Sequence, residues 1–151
     1  MDLRIFTTGG TIDKIYFDQE SAFQVGDPQI GDLLAEANVT LRYGVQSLMR
    51  KDSLDMTDDD RRLIMEAAAR EPCRRILVTH GTDRMIETGL ALGAVSGKTI
   101  VLAGAMQPVR FRYSDAVFNI GFAVAAAMLL PAGVHIAMNG RVFDPRTARK
   151  N

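Results

Sequence analysis

Cysteine occurs once in this chain, as Cys73 behind Pro72, so no intrachain disulfide can form and a reducing cytoplasm is expected. Histidine is nearly as scarce, with only His80 and His135. No pair of His, Cys or acidic residues has metal-ligand spacing, so no metal site is expected. Net charge is absent too: 18 basic residues balance 18 acidic ones, which removes the electrostatic case for nucleic acid or an anionic membrane as partner. The arginine groups Arg61-Arg62, Arg74-Arg75 and Arg110-Phe111-Arg112 each stand near acids or on a solvated face. The longest apolar region, around Ala123–Leu130, is too short to span a bilayer. The N-terminus lacks the basic and apolar regions of a secretory signal. There is no G-x-S-x-G elbow, and Cys73 has no electropositive niche. Gly97-Lys98-Thr99 fails as a phosphate loop, because Leu92 stands where its first glycine is required and the strand follows instead of preceding.

What remains has an ordinary globular composition, 47% hydrophobic and 24% charged over 151 residues, which suits one domain with a real core. Leu3 to Phe6 predict a buried first strand that ends at Gly9-Gly10. Residues 12–25 mix Ile15, Tyr16, Phe17 and Phe23 with Asp18, Gln19, Glu20 and Ser21, an excursion of hairpin type over the site. Gly26-Asp27-Pro28 supplies a helix start, followed by an apolar face of Ile30, Leu33, Leu34 and Ala37. Val45 to Met49 reads as a second strand, and Thr57-Asp58-Asp59-Asp60 opens a helix with acids where its dipole favours them. That helix offers Leu63, Ile64 and Ala67 to the core. Arg75–Thr79 and Thr99–Ala103 are buried strands flanking a helix that carries Met85, Ile86, Gly89, Leu90 and Leu92. Ser114-Asp115 caps a long helix with an apolar face of Val117, Ile120, Val124, Met128 and Leu129, stopped by Pro131. Val134 to Met138 forms the last strand, before the turn signal Asn139-Gly140. Strand alternating with helix implies an α/β fold, an open and mostly parallel sheet with helices on both faces. The tail, Thr147 to Asn151, is polar and has the character of a terminus or a cut linker.

Two Gly-Thr turns follow buried strands, Gly10-Thr11 and Gly81-Thr82-Asp83, and a parallel sheet opens both at the same edge. Two hydroxyls, a carboxylate and free N–H groups there suit one small polar substrate. A threonine hydroxyl needs a neighbouring base to act as nucleophile, and glycine-turn donors suit the oxyanion of an attacked acyl group. On spacing alone, a pair of ordinary strand-end turns is an equal reading. His80 lies in the second turn, where its ring can orient the loop; His135 lies in an apolar strand.

Thr8-Gly9-Gly10-Thr11-Ile12, Thr79-His80-Gly81-Thr82-Asp83 and Gly104-Ala105-Met106-Gln107-Pro108 occur in the order and spacing of the bacterial-type L-asparaginase/glutaminase family. Asp52-Ser53-Leu54-Asp55-Met56 and Ser114-Asp115-Ala116-Val117-Phe118-Asn119 add further matches, so essentially the whole chain resembles that family's N-terminal domain. The resemblance implies a Rossmann/flavodoxin-like sheet, a single domain over residues 1–151 without the family's second domain, and no cofactor. It implies that Thr11 is the nucleophile forming an acyl-enzyme, and that Thr82 positions or activates the attacking water. Asp83 then binds the substrate's α-amino group and Ser53, with Asp52 beside it, its α-carboxylate. Ala105 contributes a backbone contact to the amide, and Gly10 and Gly81 line the site. The implied reaction converts L-asparagine to L-aspartate and ammonia, with L-glutamine as second candidate substrate, in a cytoplasmic homo-oligomer.

Three departures qualify the match. The family's flexible-loop tyrosine aligns with Phe23, which has no hydroxyl; Tyr16 is a candidate substitute. The lysine that joins the second threonine and the aspartate in a proton relay falls near Leu130, leaving Lys14 as the only lysine close to a motif. The second domain, with any acid it lends to a neighbouring subunit, has no counterpart. Two alternatives therefore stand beside the enzyme: a non-catalytic amino-acid-binding or regulatory module, and a piece of a longer two-domain amidohydrolase.

Overall fold

A computed structural model of the chain describes residues 1–17 and 22–150, with the backbone alone for residues 16, 17 and 22. The excursion's Asp18 to Ser21 lie outside the described residues. Five parallel strands form the frame: β1 (Leu3–Gly9), β4 (Tyr43–Lys51), β5 (Arg75–Thr79), β6 (Thr99–Ala103) and β7 (Gly133–Met138). A short β8 (Arg141–Phe143) adds antiparallel to β7, giving the order β4-β1-β5-β6-β7-β8. β2 (Lys14–Phe17) and β3 (Ala22–Val25) pair as a separate antiparallel hairpin. The crossovers are α1 (Ile30–Glu36), α2 (Asp58–Arg70), α3 (Met85–Leu92) and α4 (Ala116–Leu129).

The sheet is buried because its strands are apolar on both faces. β6 is buried throughout, and Ile76, Leu77 and Val78 of β5 are each 0% exposed. Each such side chain contributes roughly 1.5–3 kcal/mol by leaving water. Alternation sorts them: Ile5, Leu77 and Val101 pack with Leu33, Leu34 and Ile120 under α1 and α4. Phe6, Ile76, Val78 and Leu102 pack with Ile64, Met85 and Leu92 under α2 and α3. β4, at the sheet edge, leaves Val45, Gln46 and Ser47 exposed.

Local chemistry sets the ends. At α2 the Thr57 hydroxyl accepts from Asp60 N at 3.2 Å, while the Asp60 carboxylate accepts from Thr57 N at 2.9 Å, a reciprocal cap. α1 starts later than the Asp27-Pro28 signal predicts, at Ile30, with Gln29 as a cap whose side chain makes no capping hydrogen bond. The Asp27 carboxylate is drawn instead to Arg50, at 2.6 Å. α4 also departs from expectation, since Asp115 does not cap it; Ser114 Oγ accepts from Ala116 N at 3.0 Å. Val117, Phe118 and Leu129 are exposed, and the buried face consists of Ala116, Asn119, Ile120, Ala123, Ala126 and Ala127. Similarly Leu63 is exposed where Ile64 and Ala68 are buried, and Leu90 points outward from α3. Asn139-Gly140, both at positive φ, turn β7 into β8, so Val134 to Met138 is not the last strand.

Candidate active site

β1 crosses to β4 on one side, and the chain next enters the sheet as β5 on the other. The space beyond the C-terminal ends of β1 and β5 is therefore a topological switch point, where open α/β sheets bind ligands. Four strand ends meet there. Gly10 N donates to Lys51 O at 2.9 Å, Thr8 Oγ1 to Thr79 O at 2.8 Å, and His80 N to Ala103 O at 2.9 Å.

Glycine allows this closeness. A Cβ on Gly10, whose φ is +90°, would lie 2.6 Å from Gly81 N. One on Gly81 would lie 2.6 Å from Ser53 Oγ, and one on Gly104 would collide with the His80 carbonyl. Thr11, Ser53, Thr82 with Asp83, and Ala105 thus stand on adjoining loops of one edge. Thr11 and Thr82 are half-buried, Ser53 and Ala105 buried, and Asp83 exposed. Asp52 receives Lys14 Nζ at 3.2 Å.

His80 anchors the second turn from behind. Its Nδ1 is 2.7 Å from Gly81 O and its Nε2 2.7 Å from Thr88 Oγ1. A carbonyl only accepts, so Nδ1 carries the proton and Nε2 accepts from the threonine hydroxyl. Burial lowers the ring's pKa to about 4, against the Gly81 contact that favours the cation. His80 is thus neutral near pH 7 and holds the loop. His135, in the middle of β7, bonds the Pro131 carbonyl.

The third loop is set by residues whose positioning role the motifs did not reveal. The Asp115 carboxylate accepts from Met106 N and Gln107 N, both at 2.9 Å. Buried Asn119 donates to Gly104 O at 3.1 Å and accepts from Asn139 N at 3.1 Å. It therefore ties the loop after β6 to the turn after β7.

Beyond β8 the chain turns back. Asp144 O accepts from Thr147 N and Ala148 N, and the Asp144 carboxylate takes the Arg146 guanidinium at 2.7 Å, holding the acid down to about pKa 2. That turn carries Lys150 to the site, where Nζ stands 2.6 Å from Asp83 Oδ1. The spacing put the family's relay lysine near Leu130 instead. Leu130 follows α4 at the opposite end of the sheet, its carbonyl accepting from Thr99 Oγ1 where β6 begins. The lysine that reaches Asp83 lies in the tail, read from sequence as a terminus or linker. A cavity of about 390 Å³ opens here between Thr82, Met85, Met106, Asn139 and Lys150.

Phe23, aligned with the tyrosine, is 48% exposed and meets Phe111 edge to face at 5.3 Å. The Tyr16 side chain lies outside the described residues. Among those described, no cluster of His, Cys, Asp and Glu could hold a metal ion, and no helix is long and apolar enough to cross a membrane.

The family model described as asparaginase, N-terminal matches residues 2–151. A glutaminase-asparaginase of Acinetobacter glutaminasificans is 33% identical over 132 residues, covering 82% of this chain and 38% of that protein. A probable periplasmic L-asparaginase of Haemophilus influenzae is 33% identical, with 99% of this chain and 46% of that one covered. Among solved structures, L-asparaginase I from Vibrio cholerae superposes with a TM-score of 0.85 at 26% identity, over 99% of this chain and 48% of that chain. The chain thus spans less than half the length of these proteins.

Proposed function

The chain belongs to the asparaginase family, whose N-terminal domain it matches almost throughout, and from that premise we propose that it is an amidohydrolase that cleaves L-asparagine to L-aspartate and ammonia. L-Glutamine is the second candidate substrate. Thr11 Oγ attacks the side-chain amide carbonyl, ammonia leaves, and water then cleaves the threonine ester. Thr82, Asp83 and Lys150 form the proton relay, with Lys150 supplying the lysine that the spacing put near Leu130. Ser53, beside Asp52, takes the substrate's α-carboxylate and Asp83 its α-ammonium. The amide contacts backbone at Ala105.

One observation carries this reading: the ion pair of Lys150 with Asp83, 2.6 Å long and next to Thr82, on the sheet edge that also holds Thr11. Phe23 offers no hydroxyl, so the proton of Thr11 leaves by another group. Replacing Thr11 with Ala is expected to lower ammonia release by about a thousandfold or more while leaving circular dichroism unchanged. Unchanged turnover would refute the assignment.

Phe23 also supports a second reading, an amino-acid-binding module of the same fold. It predicts L-aspartate binding by calorimetry without ammonia release, so robust turnover excludes it. The unpaired Cys73 supports a cytoplasmic setting. The exposed apolar residues of α4 support assembly with further copies of the chain.

A further inference from the structure

Asp13 is a carboxylate in an unusual place. It lies two residues after Thr11, in the same short turn (Thr11–Asp13), and is only 2% exposed. The relay and the substrate subsites proposed above make no use of it. Isolated burial of a charged group costs several kcal/mol unless its oxygens are bonded, so its partners define its task.

Both partners lie just past the far end of one segment, the β2–β3 hairpin that Asp13 precedes. The Asp13 carbonyl accepts from Gly26 N at 3.0 Å, and its Oδ1 accepts from Gln29 N at 3.0 Å. The hairpin β2–β3 runs between these points, so Asp13 closes the base of the whole excursion. Gln29 extends the connection: its Oε1 accepts from Arg110 Nε at 2.8 Å, in the loop after β6. That loop is joined to the Thr11 turn a second time, Val109 N donating to Ile12 O at 3.1 Å. Gly26 also sits close to the hairpin, since a Cβ there would lie 2.7 Å from Ile15 Cδ1.

We propose that Asp13 is a positioning residue, which through Gln29 holds the Thr11 turn in register with the β2–β3 hairpin and with the loop that carries Ala105. It touches no substrate. It acts as a staple whose working part is the Oδ1 acceptor. The proposal rests on the assignment of Thr11 as nucleophile, but the staple itself is measurable without turnover.

The test compares Asp13→Ala with Asp13→Asn, which keeps a carbonyl acceptor at the same place. In Asp13→Ala the Gln29 amide, which loses its Oδ1 acceptor, should exchange with deuterium at least about tenfold faster, with β5 and β6 still protected. Loss of kcat on L-asparagine should reach about ten- to a hundredfold, with KM within about twofold, because a nucleophile displaced by an ångström loses rate while the subsites for the amino-acid end remain. Asp13→Asn should restore both quantities to within about threefold of the wild type. Unchanged exchange at Gln29 in a folded Asp13→Ala, or an unchanged kcat, overturns the staple. So does an Asp13→Asn protein whose Gln29 exchange or kcat departs from the wild type by more than about threefold, and this arm decides the matter if the alanine variant does not fold. Absence of any ammonia release from the wild type would instead overturn the reading of the site, with the exchange data still judging the staple.

Discussion

Two buried ionisable residues beside the site respond to acid in opposite directions. Burial raises the Asp13 pKa to about 6, against the lowering effects of the Gln29 N–H and of Arg50. Between about pH 4 and 6 the folded chain therefore holds that proton more tightly than the unfolded chain, and stability falls as pH rises through this window. His80, with its pKa lowered to about 4, is held neutral by the fold. There the unfolded chain binds the proton more tightly, so stability rises from about pH 4 to 6.5. Each effect is on the order of 3 kcal/mol, and the two nearly cancel. Asp13→Asn removes one of them. Its stability in urea should climb by a few kcal/mol between pH 4 and 6.5, where the wild type stays nearly level, and parallel curves for the two proteins would contradict both assignments.

Elements differ in how legibly the sequence encodes them. The buried strands β5 and β6 are plain in it, because runs such as Arg75–Thr79 and Thr99–Ala103 are apolar without alternation and end at glycine-rich turns. The helix faces are less legible. α4 lies close on the sheet, so alanines make its contacts and Val117, Phe118 and Leu129 face outward, against the rule that the largest apolar residues go inside. Asp27-Pro28 and Asp115 read as caps, yet each carboxylate is claimed by a distant partner, Arg50 for one and the Met106 and Gln107 amides for the other. Glycine matters most where strands end. Gly81→Ala should press a methyl group onto Ser53, whose Oγ stands 2.6 Å from the new atom. A loss of about 1–3 kcal/mol is expected from such overpacking in a rigid neighbourhood, together with weakened L-aspartate binding. Gly121→Ala, at a position with open space and within a helix, serves as the control and should be neutral or slightly stabilising.

For the molecule as a whole, the motifs located four of the loops that meet at one sheet edge but not Lys150, which pairs with Asp83 there. Its arrival depends on β8, the Asp144 turn and the direction in which the tail leaves them, none of which has a strong local signature. Val117 and Phe118 are 59% and 61% exposed and Leu129 is 83% exposed, all on α4, with Phe118 stacked on Phe122 at 6.3 Å. A helix that presents its large apolar residues outward while alanines face the sheet has its second apolar face unburied in the isolated chain, and such faces mark association surfaces. A second copy of the chain is the partner we propose for it. Sedimentation velocity should then report a dimer or larger assembly, and Phe118→Glu should shift it toward monomer with the circular dichroism unchanged. A wild type that sediments as a monomer at assay concentration would refute the assembly, and equal behaviour of Phe118→Glu and wild type as oligomers would move the interface off α4.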